Sequence, residues 1–285
     1  MKLNSKKKAL ALLACGTMVA GTSLTTFASD DFHDADPRNT SWRGGIGASH
    51  EGEIKLAAGG GGANLFNTDY QTQTNVLAEY YTDSSNARFR TAHFDERFGG
   101  IYIDYNHIED AMDFYTTGYM IPLNAGDGLM LFPSVNYSYV DINTSGLADL
   151  ANESCDFANS SSVASCSALN DLGGASSLLV KQALGNEDSA QMGTVNFYAL
   201  KPWNDNHYTV VNANLGSSFD GVDMNVANLM WLQGIKTKLG DNILNVYFEI
   251  KYDVVEIEPT GYTAINNSTF KSEETTGTIG FDFRF

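Results

Sequence analysis

Alternation of apolar and polar residues with a period of two is the dominant pattern along this chain. Its clearest instance runs from Leu244 to Val254, where six apolar or aromatic side chains alternate with polar and charged ones. Successive side chains of a strand point to opposite faces, so this segment forms a strand with one apolar face. The pattern predicts an all-β protein. It recurs at 101–106, 129–139, 195–199 and 278–285.

The alternating segments and the turn residues between them predict nine strands beyond residue 86, and the region 42–81 must hold the others. We expect twelve antiparallel strands, with ten as the alternative. Pro133 suggests a bulge or a strand end, and the glycine run 59–62 suggests a hairpin turn or loop. The predicted strands are 87–95, 99–107, 111–123, 128–142, 190–201, 206–216, 224–239, 243–257 and 273–285.

The N-terminus has the pattern of a secretory leader. Four lysines precede an apolar stretch from Ala9 to Leu24, which is too short and interrupted for a membrane helix of roughly 20 residues. We expect a cleaved signal peptide over residues 1–28. The segment ending at Cys15 also resembles a lipoprotein box, and acylation there is the less favoured alternative.

No later segment could span a membrane as a helix, yet short apolar segments are frequent. A closed barrel is the other spanning structure, because every backbone group must be paired in lipid. The chain therefore predicts a transmembrane β-barrel over 41–285, preceded by a flexible arm over 29–40. Long connectors, of which 143–188 is the longest, alternate with tight turns, as in barrels with long outer loops.

The last eight residues read polar, any, glycine, any, any, apolar, any, apolar. This resembles the C-terminal sorting signal of Gram-negative outer-membrane β-barrel proteins. No narrower family is identified. The resemblance implies the cell outer membrane as location, with lipid, lipopolysaccharide and the barrel-assembly machinery as partners. The fixed positions of the signal are Thr278, Gly280, Phe283 and Phe285.

The chain is acidic, with 34 acidic and 17 basic residues and a net charge of −17. The lysines of the leader are removed with it, so the mature chain is more acidic still. Nucleic acid is excluded as a partner, because it requires basic patches. The acids either decorate solvent-exposed loops or attract cations to a lumen or to lipopolysaccharide.

Cys155 and Cys166 remain as an even pair after cleavage of the leader. An oxidising compartment favours a disulfide between them, and closing so short a loop contributes about 3 kcal/mol. No histidine lies near them in the sequence, which makes a metal site the weaker interpretation. In the same loop, 175–184 could form a short amphipathic helix, either on an ordinary surface loop or, less favoured, folded into the barrel mouth.

Two histidine and carboxylate pairs are the candidates for catalysis. His107 with Glu109 and His93 with Asp95 each share a strand face and could form a base and its orienting group. Such pairs also arise by chance in an acidic chain, and no serine motif of a barrel hydrolase accompanies them. We expect no enzyme activity, no cofactor and no metal; a hydrolase is the least favoured alternative.

Charged residues on the polar faces of strands are the main functional candidates, because inward charges avoid lipid. We expect a channel for ions or small hydrophilic solutes that prefers cations, with opposed charges across the lumen forming a selectivity zone. The alternative is a closed barrel whose acidic outer loops bind a surface partner. The candidate pore-lining residues are Arg88, Arg90, Asp104, Glu249, Lys251 and Asp253.

Overall fold

The computed structural model describes residues 32–157, 174, 176–240, 242–258, 260–261 and 270–284, with the backbone alone at 150–151, 153–157 and 270. The described chain is dominated by antiparallel strands. They are β1 (Arg43–Ser49), β2 (Ile54–Ala63), β3 (Thr72–Tyr81), β4 (Ala87–Asp95), β5 (Gly99–Ile108), β6 (Met112–Met120), β7 (Leu123–Asn124), β8 (Met130–Ile142), β9 (Ser189–Pro202), β10 (His207–Gly221), β11 (Asp223–Leu239), β12 (Asn242–Glu258) and β13 (Phe270–Arg284).

The strands close into a barrel. Strands that are neighbours in sequence pair with each other, except that β6 pairs with β8 and not with β7, and β1 pairs with β13. The two-residue β7 continues β6 along β8 in the same register. The two segments therefore count as one strand, and the barrel has twelve strands. Closure removes every sheet edge, as a strand protein in lipid requires. The predicted fold, a twelve-stranded antiparallel barrel, is confirmed.

Proline affects a different strand from the one the sequence suggested. Pro133 lies inside β8, whose register with β9 is unbroken. The neighbouring strand, formed by β6 and β7, is interrupted instead, at Ile121 and Pro122. Pro122 and Pro133 lack an N–H, so the hydrogen-bond ladder between β6–β7 and β8 loses donors at this point. The Ile121 amide still donates to the Pro133 carbonyl at 3.0 Å.

Most predicted strand bounds match the structure within three residues. Two segments expected to be loops are strand instead. The polar segment Ser217–Asp223 forms the end of β10, the single residue Val222 and the start of β11, and the glycine run 59–62 lies within β2. The polar residues on both faces of this segment therefore indicate the part of the β10–β11 hairpin that extends beyond the lipid belt, and not a loop.

The outward face of the barrel carries a belt of exposed apolar side chains. Val135 is 69% exposed, Ile279 is 64% exposed and Leu215 is 58% exposed. A belt of this extent around a whole barrel is costly in water and is favourable in hydrocarbon. Other members of the belt are Ile46, Phe89, Ile101, Ile103, Val195, Phe197, Leu229, Trp231, Ile235, Val246, Phe248, Ile250 and Phe281.

The described part of the long loop between β8 and β9 contains two helices. They are α1 (Thr144–Phe157) and α2 (Ser177–Ala183). Asn143 begins α1 by accepting the Gly146 amide at 3.0 Å, and Ser176 caps α2 by accepting the Leu179 amide at 3.3 Å. Neither helix is long and apolar enough to cross a membrane.

Candidate functional site: the barrel lumen

All six candidate pore-lining residues are on the inward face of their strands. Their strand neighbours on the other face, such as Phe89, Ile103 and Ile250, belong to the exposed apolar belt. The alternation of side chains therefore turns Arg88, Asp104 and Lys251 toward the lumen. The facing agrees with the sequence pattern, and the pore-lining role of these residues stays a prediction.

The inward charges form a paired network on one wall, made by β12 and β2–β5. Lys55 Nζ lies 3.0 Å from Glu249 Oε1 and 4.0 Å from Glu79 Oε1. Arg90 Nη2 lies 3.1 Å from the other oxygen of Glu79. The side chains of Lys55 and Glu249 are 7% and 6% exposed, so this is a buried ion pair whose members depend on one another.

The remaining candidates pair with near neighbours as well. Arg88 Nε donates to Asp104 at 2.9 Å, and Lys251 Nζ lies 3.5 Å from Glu249 and 3.0 Å from the Tyr81 hydroxyl. Asp253 accepts from the Asn228 side chain. The expectation of opposed charges across the lumen is corrected, because the acids and bases share one wall and neutralise one another there.

Lys55 and Glu79 were not among the predicted lumen residues. Both lie in the region 42–81, where the strands were not assigned, so their facing could not be read. Register would have revealed them, because Glu79 pairs directly with Arg88 across β3 and β4, and Lys55 pairs with Tyr81 across β2 and β3.

Glycines on β1 and β13 make room for this network. Tyr247 faces the lumen, and a side chain at Gly280 would bring its Cβ within 2.5 Å of the Tyr247 ring. A Cβ at Gly47 would lie 3.0 Å from the Tyr247 hydroxyl oxygen. Gly280, expected as part of the sorting signal, therefore also has a packing role: the ring covers it, and Lys55 lies 5.2 Å from that ring.

The opposite wall of the lumen is polar but uncharged. Asn136 donates to Thr194 at 2.8 Å, and Asn212 donates to Asn196 at 3.0 Å. Thr116 and Ser138 share a hydrogen bond of 2.7 Å. These residues lie on β6 and β8–β10, so the lumen has one charged side and one amide and hydroxyl side.

The outer end of the lumen is apolar on one side. Inward residues of β6, β8, β9, β11 and β12 pack with Leu184, which follows α2 and is 2% exposed. Leu147 of α1 and Val180 of α2 pack against the same cluster. The helix predicted at 175–184 therefore folds into the mouth, the interpretation that the sequence favoured less. The buried strand residues are Met112, Val140, Ile142, Ala190, Met192, Met224 and Ile257.

The N-terminal segment 32–41, which we call the arm, crosses the inner end of the lumen. It contacts inward side chains on strands all round the barrel: the Asn75 side chain of β3 donates to the Pro37 carbonyl, and the Tyr198 hydroxyl of β9 donates to the Ala35 carbonyl at 2.5 Å. The Gly61 amide of β2 donates to the Thr40 carbonyl at 2.9 Å. These contacts hold residues 32–41 against the barrel wall, where the sequence predicted a flexible arm.

Polar and charged groups hold the arm. The side chain of Asp34 is 7% exposed and lies 3.2 Å from Arg284 Nη1 and 3.1 Å from Lys236 Nζ. His33 stacks edge-on against Tyr208 with ring centroids 4.8 Å apart. The glycines in β2 let the chain approach, because a Cβ at Gly60 would lie 2.4 Å from the Trp42 ring.

The histidine pairs expected as possible bases face outward. His107 Nδ1 lies 2.7 Å from Asp113 and Nε2 lies 3.3 Å from Glu109. His93 shares a hydrogen bond of 2.8 Å with Thr74. The structure thus orients His107 with Asp113 rather than with Glu109 alone, and it separates His93 from the lumen.

Several sequence predictions fall outside the described side chains. These are the signal peptide 1–28, the lipoprotein box at Cys15, and Cys166, while Cys155 is placed only by the backbone of α1. The disulfide therefore stays a prediction. Of the sorting signal, Thr278 and Gly280 face the lumen, the Phe283 ring lies 5.9 Å from Phe281, and Phe285 is outside the described residues.

A closed barrel of twelve strands, apolar outside and polar within, defines an integral β-barrel protein of the Gram-negative outer membrane. No protein-family profile matches the sequence, and a search of curated proteins finds no match.

Two solved structures are similar at a distance. The NanC porin aligns with 86% of this chain and 100% of its own, at a TM-score of 0.43 and 10% identity. OmpT, an outer membrane protein of Vibrio cholerae, aligns with 82% of this chain and 64% of its own, at a TM-score of 0.32 and 10% identity. Likenesses this distant say nothing about residues or function, and the class rests on the barrel itself.

Proposed function

We propose that this barrel is a channel that passes ions and small hydrophilic solutes along its charged wall. The observation that carries the proposal is that two arginines of this wall are accessible: the side chains of Arg88 and Arg90 are each 37% exposed although both face inward. Charges in a dry interior are costly, whereas charges beside water in a lumen are not. The arrangement suits a hydrated path at mid-depth.

The path along the charged wall is separate from the apolar cluster. The strand residues of that cluster come from β6, β8, β9, β11 and β12, while the exposed arginines lie on β4. We propose that solutes enter on the β2–β5 side, where the outer connections 50–53, 82–86 and 109–111 are short. Inside, they meet the arm.

We propose that the channel prefers cations and that the acids of its outer rim and Glu249 of the charged wall both contribute to the preference. Lys181 and Lys271 are the basic residues of the rim among the described residues, and both are paired with acids. The rim acids greatly outnumber them, so its field concentrates cations. They include Glu51, Glu53, Asp83, Glu109, Asp110, Asp141, Asp220, Asp223, Glu256, Glu258 and Glu274.

A second candidate function follows from the two fillings of the lumen. The arm crosses the inner end and the α2 segment occupies one side of the outer end, which is the arrangement expected of a closed barrel whose acidic loops bind a surface partner. In that role the outer face would contact lipopolysaccharide, and the assembly machinery would read the C-terminal strand, as we also propose for the channel.

Ion selectivity tests the proposed function. We expect the reversal potential in a salt gradient to show cation preference, and Glu249→Gln to shift it toward anions, because Lys55 and Lys251 lose their shared carboxylate. Glu273→Gln is the matched control and should shift the reversal potential less, because Glu273 faces outward from β13 and pairs with the exposed Lys271. Folding of each variant is checked by heat-modifiable migration. A Glu249→Gln barrel with unchanged selectivity would place the ion path away from this wall.

A further inference from the structure

At the inner mouth, the structure assigns a carboxylate-binding site that the protein's own Asp34 occupies. We propose that the carboxylate of a small solute competes with Asp34 for Arg284, Lys236 and Arg43 and thereby releases the arm. This site lies at the opposite end of the lumen from the acidic rim, and it goes beyond conduction itself, because it concerns binding.

The basic groups of the site converge from three strands. Arg284 and Arg43 are directly opposed in the β13–β1 ladder, and Lys236 lies two strands away from Arg284 on β11. Like charges directly opposed across a ladder destabilise a sheet. Among the described residues, Arg43 makes no ion pair, so the pair of arginines depends on the carboxylates of Asp34 and Asp282.

Asp34 behaves as a bound ligand within this site. Its carboxylate oxygens lie 3.2 Å from Arg284 and 3.1 Å from Lys236, and its carbonyl also accepts from Arg284. The Arg284 side chain is 5% exposed. A basic group buried to this degree requires an anion, so the arm cannot leave cheaply unless another anion replaces Asp34.

Asn245 gives independent evidence of an incompletely filled site. It lies between Lys236 and Asp282 in register and is fully buried. Neither its Nδ2 nor its Oδ1 has a hydrogen-bond partner among the described residues. Arg284 Nε makes no hydrogen bond there either, although it lies 3.6 Å from Asp282 Oδ2. Buried amides without partners are rare, so these groups are suited to a ligand with several oxygens.

A small dicarboxylate fits this set of groups. One carboxylate can replace that of Asp34 between Arg284 and Lys236, and an arginine binds a carboxylate with two parallel hydrogen bonds. The second carboxylate can face Arg43. Succinate is therefore the probe we choose, with sodium chloride at matched ionic strength to separate binding from screening.

Amide hydrogen exchange of residues 32–41 in the refolded, detergent-solubilised barrel tests the proposal without using conductance. When binding of solute and arm are mutually exclusive, succinate at ten times its dissociation constant should speed exchange of the arm about tenfold. Chloride should not. No acceleration by succinate over chloride would overturn the proposal.

Variants separate the site from general effects. Arg284→Gln and, if that barrel does not fold, Lys236→Gln should give fast exchange of the arm without succinate and no further response. Lys238→Gln is the control for Lys236→Gln. It removes one positive charge from an exposed position of β11, the strand that also carries Lys236, and should behave as wild type. Retention of the response by Lys236→Gln, or its loss in Lys238→Gln, would contradict the site.

Asp34→Asn gives the opposite expectation. With the competing carboxylate removed, calorimetry should show tighter succinate binding than in wild type, although the arm itself is less firmly held. Weaker or unchanged binding would mean that Asp34 and succinate do not share a site. Because binding is measured directly, this result does not depend on whether the barrel conducts.

Discussion

At the scale of single residues, glycine explains how aromatic side chains fit inside this barrel. Tyr247 lies over Gly280, Tyr208 over Gly234 and Tyr102 over Gly118, each on the adjacent strand and in register. The ring covers backbone that a strand glycine would otherwise leave bare. Strand glycine is usually a weakness, but here it is the complement of an aromatic neighbour.

Gly280→Ala should destabilise the barrel by about 1 to 3 kcal/mol, because its Cβ would overlap the Tyr247 ring. Urea unfolding of the refolded protein in lipid vesicles measures the change. Gly277→Ala is the control, because Gly277 lies on the same strand and a Cβ there would meet no atom within 4 Å. Equal stability of the two variants would show that the ring moves freely aside.

The facing of single charged residues could be predicted from the sequence, and their partners could not. Alternation around Glu249 fixed its inward direction, because the lipid-facing residues on either side are apolar. Its partner Lys55 is 194 positions away and comes into contact only when β1 and β13 close the barrel. Closure is a long-range event that no local pattern records.

At the scale of elements, the loop that follows β8 acts as a partial cover of the mouth. Its contact with the barrel depends on Leu184, which is buried, while Leu178 on the same helical segment is 64% exposed. The helix was predictable from its amphipathic pattern. Its docking was not, because the cluster it joins is assembled from five different strands.

Leu184→Ala should loosen this cover by about 2 to 5 kcal/mol, the cost of removing a large buried side chain. Limited proteolysis within the loop should become faster at concentrations of protease that leave wild type intact. Leu178→Ala changes the same residue type at an exposed site and should cleave like wild type. Faster cleavage in both variants would show that Leu184 does not anchor the loop.

The arm is the element that the sequence described least well. Its polar composition is typical of a disordered tail, and nothing local shows that a barrel interior will accept it. Two features carried a signal in retrospect: the glycine run 59–62, which allows close approach, and the charges at Lys236 and Arg284 near the inner rim. Both have meaning only after the barrel closes.

Acid should loosen the arm through His33. Burial lowers the pKa of His33 from the ordinary value of 6.5, so the undocked arm binds the proton more readily. Docking is therefore complete above about pH 6.5 and weakens as the pH falls below it. The groups that act on His33 are Asp34 and Asp36, which favour its charged form, and Lys236 and Arg284, which oppose it.

Exchange of residues 32–41 at about pH 7.5 and about pH 5.5, corrected for intrinsic rates, measures this effect. We expect greater protection at the higher pH in wild type and no such difference in His33→Asn. His50→Asn at the outer rim serves as the control and should keep the response. A pH response that survives in His33→Asn would assign it to another group.

At the scale of the whole molecule, the strand architecture was predictable because lipid imposes a strict alternation of apolar and polar side chains on every strand. The lumen was less predictable, because water, salt bridges and a folded-in segment can all occupy a polar interior. The molecule combines an acidic outer rim, a neutralised charged wall at mid-depth and a basic inner mouth occupied by its own chain. We interpret this as a channel with a narrowed path.

Single-channel conductance in a planar bilayer tests this interpretation most directly. It should compare the barrel that starts at Ser29, after the predicted leader, with one that lacks residues 29–41, each verified as folded by heat-modifiable migration. We predict a steady conductance for the intact barrel and a larger one without the arm. Silence from both folded proteins would contradict the channel and support a closed barrel that acts through its outer loops.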